Sequence, residues 1–87
     1  MLESTSIYAP LYNWLVGQPV TVNDMACTFE EIESVLGFTL PETARRKQQW
    51  WENNSTRHVQ AKAWLEAGFL TQDVNVVRRT LAFHRNP

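Results

Sequence analysis

Apolar residues come in short runs along the chain, and each of the three glycines follows one of them. Leu11, Trp14 and Leu15 stand at i, i+3 and i+4, one face of a helix, and Gly17 follows them. Pro10 suits the first turn of that helix, where its missing N–H is not needed. Phe29, Ile32 and Leu36, with Val35 beside them, repeat the spacing up to Gly37. Ala61, Trp64 and Leu65 form a further stripe in a helix from about Arg57 to Ala67, stopped by Gly68. All three glycines stand where a left-handed cap is usual. Between these, Pro41 opens another helix that runs to about Trp51, with Thr39 or Leu40 at its cap. Ala44, Gln48 and Trp51 share one of its faces, and Thr43, Lys47 and Trp50 the next. Asn53-Asn54-Ser55-Thr56 breaks it and offers caps to its successor.

Period-2 patterning marks the strands. Gln18-Pro19 opens an extended segment in which Val20 and Val22 share a side, reaching toward Cys27. Phe69 to Val77 and Thr80 to Arg85 form a hairpin, with Leu81 and Phe83 inward and Arg78-Arg79 at the turn. That turn lacks the Gly or Asn that would set its type. The fold class is α+β. A single small domain, with an ordered core of about 8–85, has the order α-β-α-α-α-β-β. The early strand joins the hairpin in a three-stranded antiparallel sheet packed by helices. The sharpest local signal is Thr28-Phe29-Glu30-Glu31, a capping box. In it the Thr28 hydroxyl accepts the Glu31 N–H, and the Glu31 carboxylate accepts the Thr28 N–H.

Composition narrows this further. With 87 residues and 44% apolar content, one compact domain fits and two do not. The area scaling law gives about 5,300 Å² of folded surface, enough burial for a core without metal or disulfides. No segment approaches the apolar length of a membrane span. Met1-Leu2-Glu3-Ser4 lacks the pattern of a signal peptide. Cys27 is the only cysteine, so no intrachain disulfide forms and a reducing cytoplasm is expected. A formal charge of −1 argues against a generic polyanion binder. That near-neutrality hides an asymmetry: residues 1–44 carry six acids and no Lys or Arg, whereas residues 45–87 carry eight basic residues and three acids. Such a chain either pairs its halves internally or presents an acidic and a basic face.

The element order matches a winged-helix module with one extra helix before the wing. In that frame the acidic helix 29–36, the Gly37–Leu40 turn and the basic helix 41–51 form a helix-turn-helix pair. Arg45, Arg46 and Lys47 lie on the second helix, and Arg78 and Arg79 at the wing tip, where phosphates are met. Gln48, Gln49 and Trp50 approach bases. The leading expectation is therefore a non-enzymatic module for double-stranded DNA, opposed by Glu30, Glu31 and Glu33 if they lie near. Trp51 and Trp64 are expected in the core, and Trp50 as an exposed platform with Arg46 one turn earlier in a cation–π pair. The rival is a protein-interaction or homodimerisation module using Tyr8, Tyr12, Phe38 and Trp50, with the acidic and basic halves pairing across subunits. No catalytic constellation, cofactor motif or metal-ligand spacing is found. Cys27 with His58 imitates a Cys/His pair but lacks a third group. Asn53, His58 and Gln60 form a polar cluster able to take a small ligand.

Thr28-Phe29-Glu30-Glu31-Ile32-Glu33, Leu36-Gly37, Leu40-Pro41, Ala44-Arg45, Trp50-Trp51 before Asn53, Gln60-Ala61, Ala63-Trp64 and Ala67-Gly68 together resemble a family of small bacterial domains of unknown function. Its members read as a T-F-E-E-I-E helix, an L-P-x-S-A-R turn, a W-W-x-N motif and an A-W-x-x-A-G helix end. The resemblance covers residues 8 to 85. Thr43 stands where serine is usual, and Phe69 where Trp or Tyr is usual. The resemblance implies a fold and no established activity. Short proteins of this kind also occur in phages and mobile gene cassettes.

Overall fold

Two of the three glycines are left-handed: Gly37 at φ +84, which caps a helix, and Gly68 at φ +89, which lies in the turn before a strand, three residues past the end of its helix. Gly17 is not. Its φ is −75, a right-handed position, and its N–H donates to Asn13 O at 3.0 Å. The computed structural model describes residues 6–87, so the leading segment read above for targeting signals lies outside the described residues.

Helix α1 (Ala9–Val16) carries Pro10 in its first turn and buries Leu11 and Leu15. The extended segment expected at Val20–Val22 is instead a turn, closed by Val22 N–H on Pro19 O at 2.9 Å. Arg85 fastens it, donating from Nε to Val22 O at 3.0 Å and from Nη2 to Pro19 O at 3.1 Å. The same guanidinium lies 4.5 Å from the Phe69 ring centroid. Strand β1 (Asp24–Thr28) starts only after this turn, because the chain must first be redirected by Pro19.

β1 pairs antiparallel with β3 (Thr80–Arg85), setting Cys27 opposite Leu81 and Met25 opposite Phe83. β2 (Phe69–Asn75) pairs with the other edge of β3, so the sheet order is β1-β3-β2. A bulge between Gln72 and Asn75 interrupts the β2 ladder, with Asp73 at φ +55. The three-stranded sheet and the inward pair Leu81 and Phe83 are those read from the sequence.

Helix α2 (Phe29–Leu36) forms with both halves of its capping box: Glu31 N–H donates to Thr28 Oγ1 at 3.0 Å, and Thr28 N–H donates to Glu31 Oε1 at 2.9 Å. Phe29, Ile32 and Leu36 are its buried face. After Gly37 the turn is held by Leu40 N–H donating to Glu33 Oε2 at 2.7 Å.

The expected long helix 41–51 is broken. Pro41 is the cap, helix α3 spans only Glu42–Arg46, Lys47 is extended at φ −118, and a 3₁₀ turn covers Gln48–Trp51. The tryptophans account for the break. Adjacent residues of an α-helix diverge by about 100°, so a regular helix buries one of Trp50 and Trp51 and exposes the other. Breaking the helix at Lys47 lets both enter the core, at 9% and 1% exposure. Trp51 stacks between Phe29 and Trp64, with ring centroids 4.8 and 6.0 Å away, and donates its indole N–H to Ala44 O at 2.8 Å. Trp50 meets Trp51 edge-on at 4.7 Å.

The last helical region is also shorter than its sequence stripe suggests. Asn54 Oδ1 accepts the N–H groups of Thr56 and Arg57, holding a turn there. A 3₁₀ turn (Val59–Ala61) then leads into α4 (Lys62–Leu65). The helices cover one face of the sheet, and Trp51, Trp64, Phe29, Phe69 and Phe83 fill the space between. The accessible surface of 5468 Å² is that of a packed small α+β domain. Among the described residues no helix is long and apolar enough to cross a membrane.

Candidate anion-binding site

Two regions of the surface carry polar chemistry, and they are built differently. The first surrounds Asn53, the last residue of the W-W-x-N motif. Its Oδ1 accepts from Trp64 Nε1 at 2.9 Å and from Thr71 N–H at 2.9 Å, and its Nδ2 donates to Thr71 O at 3.0 Å. The Asn53 amide thus stands where a neighbouring strand would pair with β2. The Thr71 hydroxyl donates to Trp51 O at 2.6 Å, with Asn53 Oδ1 also 3.0 Å away. Gln60, nearly buried, donates to Trp50 O at 2.7 Å. His58 lies 3.0 Å from Glu52 Oε1. The polar cluster read as a small-ligand candidate therefore spends Asn53 and Gln60 on the backbone of the tryptophan turn and of β2. A cavity of about 370 Å³ beside it is lined by Asn53, Asn54, Thr71 and Asp73, but by neither His58 nor Gln60.

The second region lies where the N-terminus of α2, the residue after its turn and the hairpin tip meet. A cavity of about 370 Å³ is lined by Thr28, Phe29, Glu30, Glu33, Thr39, Arg45, Arg78 and Arg79. Arg45 comes from α3, where it follows the buried Ala44 and is itself half-buried. Arg78 and Arg79 come from the four-residue connection 76–79. Arg78 N–H donates to Asn75 Oδ1 at 2.9 Å, so the residue just before the turn supplies the asparagine that the turn itself lacks. Arg79 takes a left-handed φ of +57, and its carbonyl accepts Phe29 N–H at 2.8 Å, tying the hairpin tip to the first turn of α2.

The electrostatics of this cavity are mixed. Three guanidinium groups share its wall with two carboxylates. The Glu33 carboxylate is engaged by Leu40 N–H. Among the described residues, no carboxylate lies within 4.0 Å of the Arg45, Arg78 or Arg79 guanidinium nitrogens. Arg45 Nε is buried and has no hydrogen-bond partner among the described residues. Buried donors are almost always satisfied, so an orphaned one asks for an explanation.

The remaining residues read as contacts are distributed as follows. Arg46 pairs with Glu42 at 2.9 Å, both strongly exposed, and makes no cation–π pair with Trp50. Lys47, Gln48 and Gln49 are exposed on the extended step and the 3₁₀ turn rather than on a helix. Trp50 is buried, which corrects its reading as an exposed platform. Tyr8 meets both Phe38 and Trp50 edge-on at 6.1 Å, and Tyr8, Tyr12 and Phe38 are half-buried against the core. Burial raises the Tyr8 phenol above its ordinary value. Cys27 is buried, and burial pushes its thiol up to about 11, with the Glu31 carboxylate adding to the shift. His84 bonds Asp24 across the β1–β3 pair. Among the described residues no three His, Cys, Asp or Glu side chains come together as a metal set. Thr28, Glu30, Glu33 and Thr39 were not foreseen as cavity lining. The capping box does place Thr28 and Glu30 at a helix start, but only the fold brings the hairpin tip over it.

The fold and this cavity define a small α+β domain in which a helix start and a hairpin tip enclose an arginine-rich pocket. The chain belongs to the family described as Domain of unknown function (DUF7662), which matches residues 8–87. Neither a comparison with curated proteins nor one with solved structures finds a match.

Proposed function

We propose that the domain is a non-enzymatic, cytoplasmic binding module that holds the phosphate backbone of double-stranded DNA on the Arg45, Arg78 and Arg79 cluster. The observation that carries this reading is convergence: three arginines from two distant parts of the chain line one cavity, and although Glu30 and Glu33 share its wall, no carboxylate among the described residues lies within 4.0 Å of the three guanidinium groups. Arginine's planar fork matches phosphate geometry, and phosphate contacts dominate DNA affinity. Lys47 and Gln49, both exposed, flank the cluster in sequence.

The mode of contact differs from a helix laid in the major groove. Five residues of α3 span only about 7.5 Å, too short to follow a groove. The module therefore grips backbone with little dependence on sequence. Association through Tyr8, Tyr12, Phe38 and Trp50 has less support, since these rings close on one another and on the core.

Binding of a fluorescent 20-base-pair duplex tests the reading. Three phosphate contacts predict about a 40-fold loss of affinity between 50 and 200 mM salt. Changing Arg78 and Arg79 together to alanine should flatten the salt slope by about 1.8. No detectable binding at 50 mM salt would overturn it.

A further inference from the structure

We infer that the cavity between α2 and the hairpin tip is a site for one phosphate monoester, with the Arg45 Nε–H as its buried contact. This rests on the reading that this face takes phosphate, and it specifies which phosphate. Guanidinium groups approach the cavity from α3 and from two consecutive positions of the hairpin turn. A phosphodiester within a strand offers two unbridged oxygens, a carboxylate offers two, and a monoester offers three. Only the last gives each of three arginines an oxygen of its own.

Depth points the same way. Internal phosphates of a duplex are met on open surface. Here Arg45 is half-buried and its Nε wholly enclosed, unlike the exposed Arg78 and Arg79, so a ligand satisfies that donor only by entering the cavity and drawing the Arg45 side chain toward it. A volume of about 370 Å³ admits a phosphate together with the sugar that carries it. Thr28 and Thr39 add hydroxyls to the wall. Glu30 and Glu33 set a limit, because a dianion entering the cavity meets their charge. Glu33 is held by the Leu40 N–H, whereas Glu30 is exposed on the first turn of α2. The site is thus tuned to moderate affinity, and Glu30 is the residue that weakens it. A phosphorylated DNA end and a free nucleoside monophosphate carry the same group.

Two measurements on the intact protein test this and separate it from the reading it rests on. The first compares a duplex bearing 5′-phosphates with the same duplex bearing 5′-hydroxyls; the expected preference is at least fivefold for the phosphorylated duplex. The second follows the Arg45 Nε–Hε resonance during titration with deoxyadenosine monophosphate and with inorganic phosphate. A saturable shift is expected with both, abolished in Arg45→Lys, which keeps the charge but lacks Nε–H. Glu30→Gln should tighten monophosphate binding several-fold. Equal binding of the two duplexes, or no Arg45 shift at 20 mM monophosphate, overturns the inference while leaving backbone binding intact. An Arg45 shift with monophosphate but no binding of either duplex at low salt retains the site and overturns DNA as its partner.

Discussion

The two polar regions of this domain spend similar residues to opposite ends. Around Asn53 the polar groups of the side chain, the Trp64 indole and the Thr71 backbone meet one another, and the network knits the 3₁₀ turn, α4 and β2 into one unit. Around Arg45 the charges are gathered but not spent: three arginines face a cavity, and one buried donor has no partner. Satisfied polar groups near a core give it a unique arrangement. Unsatisfied ones cost stability and are kept where something outside the chain completes them. The contrast separates a structural motif from a candidate binding surface in a protein whose tryptophan pair belongs wholly to the first.

Removing the hub is the severest way to probe that contrast. Asn53→Ala leaves the Trp64 indole N–H and the Thr71 N–H without an acceptor, at about 1–3 kcal/mol for each unsatisfied group. We expect a loss of about 2–4 kcal/mol in urea unfolding. A loss below about 1 kcal/mol would mean that water replaces the amide and that the network is not a structural unit.

On the other side the sign reverses. Arg79 holds a left-handed φ of +57, which side chains with a Cβ occupy at a cost of about 1 kcal/mol. Arg79→Gly should therefore raise the urea midpoint by the equivalent of about 1 kcal/mol while weakening duplex binding. Stability and binding moving together would break the assignment of this residue to function rather than fold.

These two residues also show what the sequence could and could not disclose. The capping box, the helix at 29–36 and the inward Leu81 and Phe83 were readable because each rests on local spacing, whereas the third strand of the sheet was expected from Val20–Val22 and forms instead at Asp24–Thr28. The break at Lys47 was not. Helical periodicity fits 41–51 well, and only the demand of a small core for both Trp50 and Trp51 overrides it. Val20–Val22 misled for a similar reason: its alternation is real, but Pro19 and the distant Arg85 hold it as a turn. At the site, the five cations on two elements were legible as candidates. Which three converge was not, because the approach of residues 78–79 to residues 28–30 depends on the long-range pairing of β3 with β1, which sets Thr80 opposite Thr28. Arg46 illustrates the gap, being sequence neighbour to Arg45 yet turned to Glu42.

A smaller effect sharpens the same contrast. Arg45→Met keeps a long side chain in place and removes the orphaned donor. Replacing a buried unsatisfied group by an apolar one is close to neutral or stabilising, so unfolding should change by less than about 0.5 kcal/mol, while duplex affinity falls. Were Arg45→Met to cost as much as Asn53→Ala, the guanidinium would be a structural element and the two regions would not differ in kind.

The least effect at neutral pH, and the most specific in pH, comes from Cys27. Its ordinary thiol value is 9.0, and burial beside Glu31 raises it to about 11 in the fold. The protonated thiol is thus favoured by folding. Its contribution is complete below pH 9, where folded and unfolded chains both hold the proton, and is lost as the pH rises through 11. Stability should accordingly be flat through neutrality as far as this residue is concerned and fall between pH 9 and 11. Tyr8, raised by burial as well, acts in the same direction at the upper end of that range. Cys27→Ala separates the two, since it removes the thiol and leaves the phenol. Urea unfolding at pH 8 and pH 10.5 should show a smaller pH-dependent loss for the variant than for the parent. Equal losses would place the alkaline sensitivity entirely outside the β1–α2 junction. They would also leave that junction, which carries the capping box beneath the arginine cavity, intact at the pH where the arginines still hold their charge.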